Sequence, residues 1–222
     1  MVITPIIDQV PPPSTVPEKS ANTPDTNHPH NSTLISLDEY RAIAETAEER
    51  LEYRNGEIFI MPGGTASHSA IACNLIIYLG FVLRDTDFRL YNSDMRIWIP
   101  KFQCGTYADV FVINGEPEFN AQRNDEILNP LLIVEVLSAS TQGYDRGEKF
   151  RKYRSIPSLA EYLLISQSEP YIEHYSRLNT QPEDRDIWQL QISDRSDQEI
   201  TLPCLGIEVP LPEIYRRIAG IE

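Results

Sequence analysis

Leu131-Leu-Ile-Val-Glu-Val-Leu137, the polar turn Ser138-Ala-Ser-Thr-Gln-Gly-Tyr144 and then Asp145-Arg-Gly-Glu-Lys149 decide how this chain is read. Apart from Glu135 the first seven residues are aliphatic, the mark of a strand covered on both faces. A carboxylate in the middle of such a strand is expensive unless a cation, a hydrogen-bond donor or a metal neutralises it. The polar turn after it opens a basic helix, expected over about Asp145 to Ile156 and stopped by Pro157.

Working outward, Thr106 to Ile113 reads as another strand, its apolar character interrupted by Asp109. Phe88 to Asn92 and Asp94 to Ile99 precede it as strands, and Asn114 to Pro130 is a polar excursion. Glu161 to Ser166, Tyr171 to Ser176, Ile187 to Ile192 and Thr201 to Val209 continue the strand pattern, and Leu211 to Ala219 reads as a closing helix. Upstream, Ser36 and Glu39 form a capping box that opens a helix through about Glu49. Asn55-Gly56 between Leu51-Glu-Tyr-Arg and Glu57-Ile-Phe-Ile-Met61 is a hairpin signal. A second helix is expected from Ser67 to Arg84, with Ile71, Leu75 and Leu79 as its apolar stripe. The pattern predicts a mixed α/β (α+β) fold, one central sheet flanked by helices. No internal repeat or second boundary is found, so residues 34–222 read as one domain. Residues 1–33, rich in Pro, Thr, Asn and Ser, read as a disordered arm, and His28 and His30 in it as bland.

The totals narrow the function. With 222 residues, 41% hydrophobic and 23% charged, the chain fits a globular protein with a real core. No apolar run is long enough to span a bilayer and no secretory signal is found. Three widely spaced cysteines argue against a disulfide framework or a structural zinc site and for a reducing cytoplasm. The net charge of −14 is awkward for nucleic-acid binding. Only Arg146, Lys149, Arg151, Lys152 and Arg154 cluster, so any DNA contact is expected there.

Asp109, Glu135 and Lys149 are the chemistry-bearing trio. If the two strands pair, both carboxylates leave from one face and, with waters, make a Mg²⁺-type site. Such an ion polarises a phosphoryl oxygen, and a lysine beside it orients a water or offsets charge. The competing reading is a buried ion pair with Lys149 or Arg146. Further candidates are Glu57, at the start of its strand, which either reaches the metal or is simply solvated, and His68, in the first turn of the second helix, read either as a helix N-terminal residue bonded to backbone or as a phosphate contact or proton shuttle. Asp94 reads as a turn-former, and Tyr153 shares the helix face of Lys149.

Taken together, Tyr107-Ala-Asp109, Asn129-Pro-Leu-Leu-Ile-Val-Glu-Val-Leu-Ser138 and Tyr144-Asp-Arg-Gly-Glu-Lys-Phe150 resemble the Uma2 family (DUF820) of the PD-(D/E)XK nuclease superfamily. Asn55-Gly-Glu57, His68 and Glu116-Pro-Glu118 belong to the same likeness, which runs from about Leu37 to Tyr215. The resemblance implies a restriction-endonuclease-like fold with Asp109 and Glu135 as metal ligands. The superfamily lysine, two residues after the glutamate, is replaced here by Leu137, so the resemblance implies that Lys149 supplies the amine. Ala108 stands where the family usually has proline, and Ser138-Ala139-Ser140 where it has Ser-Pro-Ser. The implied function is a Mg²⁺- (or Mn²⁺-) dependent endonuclease acting on DNA as a homodimer, without a membrane partner. The alternative is an inactive nuclease-fold module for nucleic-acid binding or assembly. A carboxylate enzyme with another substrate has no nucleophile elbow, catalytic-triad order or P-loop behind it.

Overall fold

Local signals set the first elements. In a computed structural model describing residues 34–61, 63–178 and 186–221, Ser36 caps α1 (Leu37–Ala44). Its hydroxyl accepts from the Glu39 N–H at 3.2 Å, and the Glu39 carboxylate accepts from the Ser36 N–H at 2.8 Å. This reciprocal pair satisfies two donors that a helix start otherwise leaves bare. Strands β1 (Leu51–Arg54) and β2 (Glu57–Ile60) follow, joined by Asn55 at φ 49° and Gly56 at φ 94°. Two successive left-handed residues match the right-handed twist of the flanking strands, which is why Asn-Gly is favoured there. Helix α2 (Ala66–Val82) starts at Thr65, whose side chain accepts from the His68 N–H at 3.1 Å.

The next elements are β3 (Phe88–Asn92), β4 (Arg96–Ile99), β5 (Cys104–Tyr107), β6 (Val110–Asn114), β7 (Glu126–Ile127) and β8 (Leu132–Leu137). A continuous helical stretch comes after: α3 (Gln142–Tyr144), a π-helical segment at Asp145–Lys149, and α4 (Phe150–Tyr153). Then come β9 (Glu161–Ser166), β10 (Ile172–Arg177), β11 (Trp188–Ser193), β12 (Glu199–Leu202), β13 (Ile207–Pro210) and the short α5 (Leu211–Ile214).

Instead of one central sheet there are, among the described residues, two larger ones and a hairpin. One runs β2-β1-β5-β4-β7, the other β11-β10-β9-β8-β6-β3, and β12 pairs with β13. In the six-stranded sheet β8 and β9 are parallel, with the helical stretch α3–α4 on the crossover; the other pairings are antiparallel.

Alternation sorts its side chains. Val110, Val112, Leu132, Val134 and Val136 face Ile71, Leu75 and Leu79 of α2 together with α5. Phe111, Ile113, Ile133 and Leu137 face Ile97, Phe150 and Tyr153 on the other side. By the same parity Glu135 points to the α4 side, as its contact with Tyr153 confirms. A third cluster, Tyr40, Leu51, Tyr53 and Trp98, fixes α1 on the five-stranded sheet.

Several expected boundaries move. Thr106–Ile113 is two strands, one in each large sheet, because the chain changes sheets at Ala108-Asp109. The helix expected from Asp145 begins three residues earlier and contains the wide turn. The closing helix shortens to Leu211–Ile214, and β4 begins at Arg96. The expected arm, with His28 and His30, lies outside the described residues.

Candidate active site

Asp109 owes its place to the change of sheets. The register Val110↔Val134 makes Asp109 and Glu135 the next facing positions, where β6 departs from β8. The ladder is replaced there by a side-chain bond: the Val136 N–H donates to Asp109 Oδ2 at 2.7 Å. His68 Nε2 meets the same oxygen at 3.1 Å. The His68 ring fits because residue 64 is glycine; a Cβ there would come within 2.7 Å of Nδ1. Both Asp109 and His68 keep 18% of their side-chain surface open.

Glu135 and Lys149 lie deeper, with side chains 6% and 5% exposed. Glu135 Oε1 accepts from Lys149 Nζ at 2.8 Å and from the Tyr153 hydroxyl at 2.9 Å. Lys149 also donates to the Tyr107 carbonyl at 3.1 Å and lies 3.7 Å from Asp145 Oδ1. One ammonium thus ties the end of β5 to the middle of β8. π-Helical turns recur at functional sites, and this one carries both Asp145 and Lys149. Glu52 of β1 completes the cluster, fully buried, accepting from Arg54 and from the Thr106 hydroxyl.

Three carboxylates, Glu135, Glu52 and Asp145, act on the one Lys149 ammonium, and the titrations follow. Burial, with Asp145 and Asp109 nearby, pushes the Glu135 pKa well above the ordinary value despite Lys149. Burial also raises Asp145, again against the pull of Lys149. Burial works against the Lys149 charge, but Glu135, Glu52 and Asp145 outweigh it and raise its pKa. Burial of Glu52 is overcome by Lys149 and Arg54, which hold that carboxylate low. The hydrogen bond to Asp109 raises His68 despite its partial burial. Glu135, Asp145, Lys149 and His68 therefore hold their protons more tightly than the free groups would, and Glu52 less tightly.

Asp109 and Glu135 are the carboxylates that could hold a metal here; with backbone or water oxygens they would make a hard, all-oxygen set of the kind that suits Mg²⁺ or Mn²⁺ rather than zinc. Among the described residues no group of three or more His, Cys, Asp and Glu is arranged to hold a metal.

These side chains line one cleft of about 1310 Å³, bounded by β2, the start of α2, residues 138–142 and residues 166–169. Asp109, Glu135, Lys149 and His68 all reach it. Glu57 does not: it is exposed at the start of β2 and absent from the lining. The expected basic patch is also corrected. Lys149 and Lys152 are buried, Arg146 is paired with Glu173 at 2.7 Å, and Arg151 and Lys152 both face Glu148. Of the members missed, Asp145 was readable four residues before Lys149. Glu52 carried no local signal.

Comparison with known proteins gives the family and the fold. Residues 37–212 match the model of the Uma2 family, described as "Putative restriction endonuclease". Two uncharacterised proteins of Synechocystis are similar: one is 39% identical over 65% of this chain and 82% of its own length. The other is 36% identical over 83% of this chain and 93% of its own. A crystal structure from Anabaena variabilis, described as a "putative nuclease belonging to DUF820", superposes with a TM-score of 0.64 at 18% identity. It covers 82% of this chain and 97% of that one, so the mixed α+β nuclease-like architecture is shared.

Proposed function

Because the chain belongs to the Uma2 family, we propose that it is a divalent-cation-dependent endonuclease hydrolysing phosphodiester bonds in DNA, with Asp109, Glu135 and Lys149 as its catalytic residues. The observation that carries this reading is the meeting of those three side chains, forty positions apart in sequence, at one open cleft. Asp109 and Glu135 would hold Mg²⁺ or Mn²⁺. When bound, the ion supplies a Lewis acid that polarises a phosphoryl oxygen and acidifies a water.

The chain's own residues do the rest. The Val136 N–H and His68 both engage Asp109 Oδ2, while Oδ1 has no hydrogen bond among the described residues and is kept for a ligand. Tyr153 and Lys149 likewise converge on Glu135 Oε1 and orient that carboxylate. Lys149 stays protonated, so it acts as a fixed cation that offsets charge on the attacked phosphate and orients the water, not as a base. His68 is the group able to move a proton at the cleft, since it is partly open and bonded to Asp109. Cutting both strands of a duplex would require two such clefts, hence a pair of copies.

The experiment is incubation of supercoiled plasmid and labelled oligonucleotides with the purified chain, with Mg²⁺, with Mn²⁺ and with EDTA. Metal-dependent nicking that disappears in Asp109→Ala and Glu135→Ala supports the reading. Intact DNA under all conditions removes it. A second reading, a nuclease scaffold retained for binding, is favoured by one observation: Glu135 is already closed into a buried pair with Lys149. Calorimetric binding of Mn²⁺ without cleavage would select it.

A further inference from the structure

Five cations line the cleft among the described residues, and each already faces a carboxylate. Lys149 pairs with Glu135 at 2.8 Å, Arg146 with Glu173 at 2.7 Å and His68 with Asp109 at 3.1 Å. Arg54 pairs with Glu52, and Arg50 more loosely with Asp94 at 3.9 Å. A chain of net charge −14 with its cleft cations engaged has little with which to grip the many phosphates of a duplex.

The cleft offers apolar surface instead. Phe59 and Ile60 of β2 and the following Met61 form one lip, with Ala72 and Ile76 of α2 also in the lining. Ile60 is 65% exposed and Phe59 36%, so two successive large apolar side chains stand open at the mouth of a charged cleft. The lip is braced. The Arg54 guanidinium lies 4.1 Å from the centre of the Phe59 ring and 4.0 Å from that of Tyr144, linking the hairpin to α3.

We propose that the cleft takes an unpaired stretch of DNA, its bases packed on Phe59, Ile60 and Met61 and one phosphodiester over Asp109 and Glu135. This rests on the nuclease reading and names the substrate class for it. A duplex hides its base faces in the stack; an unpaired strand exposes them. Base faces pack on apolar and aromatic side chains with little regard to sequence and without any cation. Inserted apolar side chains also hold bases apart where a strand leaves its partner.

The test is fluorescence anisotropy of the full chain with one labelled sequence as single-stranded DNA, as duplex and as single-stranded RNA. It is run in Ca²⁺ at low and high salt, followed by cleavage assays in Mg²⁺ and Mn²⁺. The expected result is single-stranded DNA bound about tenfold more tightly than duplex, with a shallow salt dependence. Ile60→Ser combined with Met61→Ser should weaken single-strand binding about tenfold and leave duplex binding unchanged. Ile60→Phe should retain it, which separates loss of apolar surface from loss of fold. Equal or tighter binding of duplex or RNA, no binding of any probe, or a serine variant that binds as wild type does would overturn the proposal. The two readings fail separately. Lip-dependent single-strand binding without cleavage removes the nuclease and keeps the lip; duplex cleavage at wild-type rates by the serine variant does the reverse.

Discussion

Asp109 accepts a hydrogen bond from the N–H of Val136, the residue immediately after Glu135, at 2.7 Å. The strand carrying one carboxylate is thereby pinned by the other carboxylate's side chain, at the point where the chain passes between sheets. Asp109 is both a structural tie and a candidate ligand, and substitutions should separate the two roles.

Asp109→Ala removes the acceptor for the Val136 N–H. The expected cost is about 1–2 kcal/mol, that of a lost partly buried hydrogen bond, measured by urea denaturation. Asp109→Asn keeps an acceptor oxygen and should recover most of that stability. In calorimetry, however, both variants should fail to show the Mn²⁺ binding of the wild type. Equal Mn²⁺ binding by all three would remove Asp109 from the ligand set.

Lys149→Met should be far more damaging. It strands Glu135 inside the protein without its cation, and breaking a buried pair from one side costs about 3–5 kcal/mol. Adding Glu135→Gln to that variant should restore much of the loss, since no isolated charge remains. The double-mutant cycle, read from denaturation midpoints, therefore has a large coupling. Additive effects would show that the 2.8 Å contact carries little energy.

Asp145→Asn should stabilise the fold at neutral pH. Burial raises the Asp145 pKa in the folded state, so the folded form binds that proton more tightly than the unfolded one. The stability this contributes is present below the ordinary aspartate value of about 3.9 and is lost as pH climbs through the raised one. The asparagine variant escapes that loss. Its melting midpoint should exceed the wild type's by roughly 2–4 °C at pH 7 and by little at pH 3.5. A gap that widens towards acid would mean the sign is wrong.

Gly56→Ala tests the hairpin that carries Glu52 and the apolar lip. Gly56 has φ 94°, and a Cβ there would lie 3.0 Å from the Leu34 Cβ. Left-handed strain and crowding together should cost about 1–3 kcal/mol. Thermal melting would show it, and a neutral substitution would mean that the turn relaxes.

Much of this was legible because its causes are local. The Ser36 capping box and the Asn55-Gly56 turn are written in adjacent residues. Glu135 stood out as one charge in an aliphatic run. Asp109 was visible as a residue, but its location was not. Thr106 to Ile113 contains no breaker, and the change of sheets depends on a bond to Val136, 27 residues away. Glu52 was hidden for the same reason: it is held by Thr106, 54 residues on, and by the field of Lys149. The basic cluster misled because the partner of Arg146, Glu173, comes from β10. The wide helical turn leaves no residue signature, since it alters only which carbonyl each N–H meets.

That wide turn bears on descent as well as on chemistry. A π-helical segment holds one residue more per turn than its α-helical flanks, so it behaves as an insertion absorbed without disturbing the helix on either side. Deleting Gly147, which has nothing within 4 Å of where a side chain would begin, should let the segment wind back to a regular helix. The helix on either side would then keep its phase, and Asp145 would stand three residues before Lys149 instead of four. Phe150 and Tyr153 would stay seated, while the contact between Lys149 and Asp145, now at 3.7 Å, would have to be made across a narrower turn. A cousin lacking that residue should therefore keep the two aromatic residues in place and carry its aspartate and its amine three positions apart.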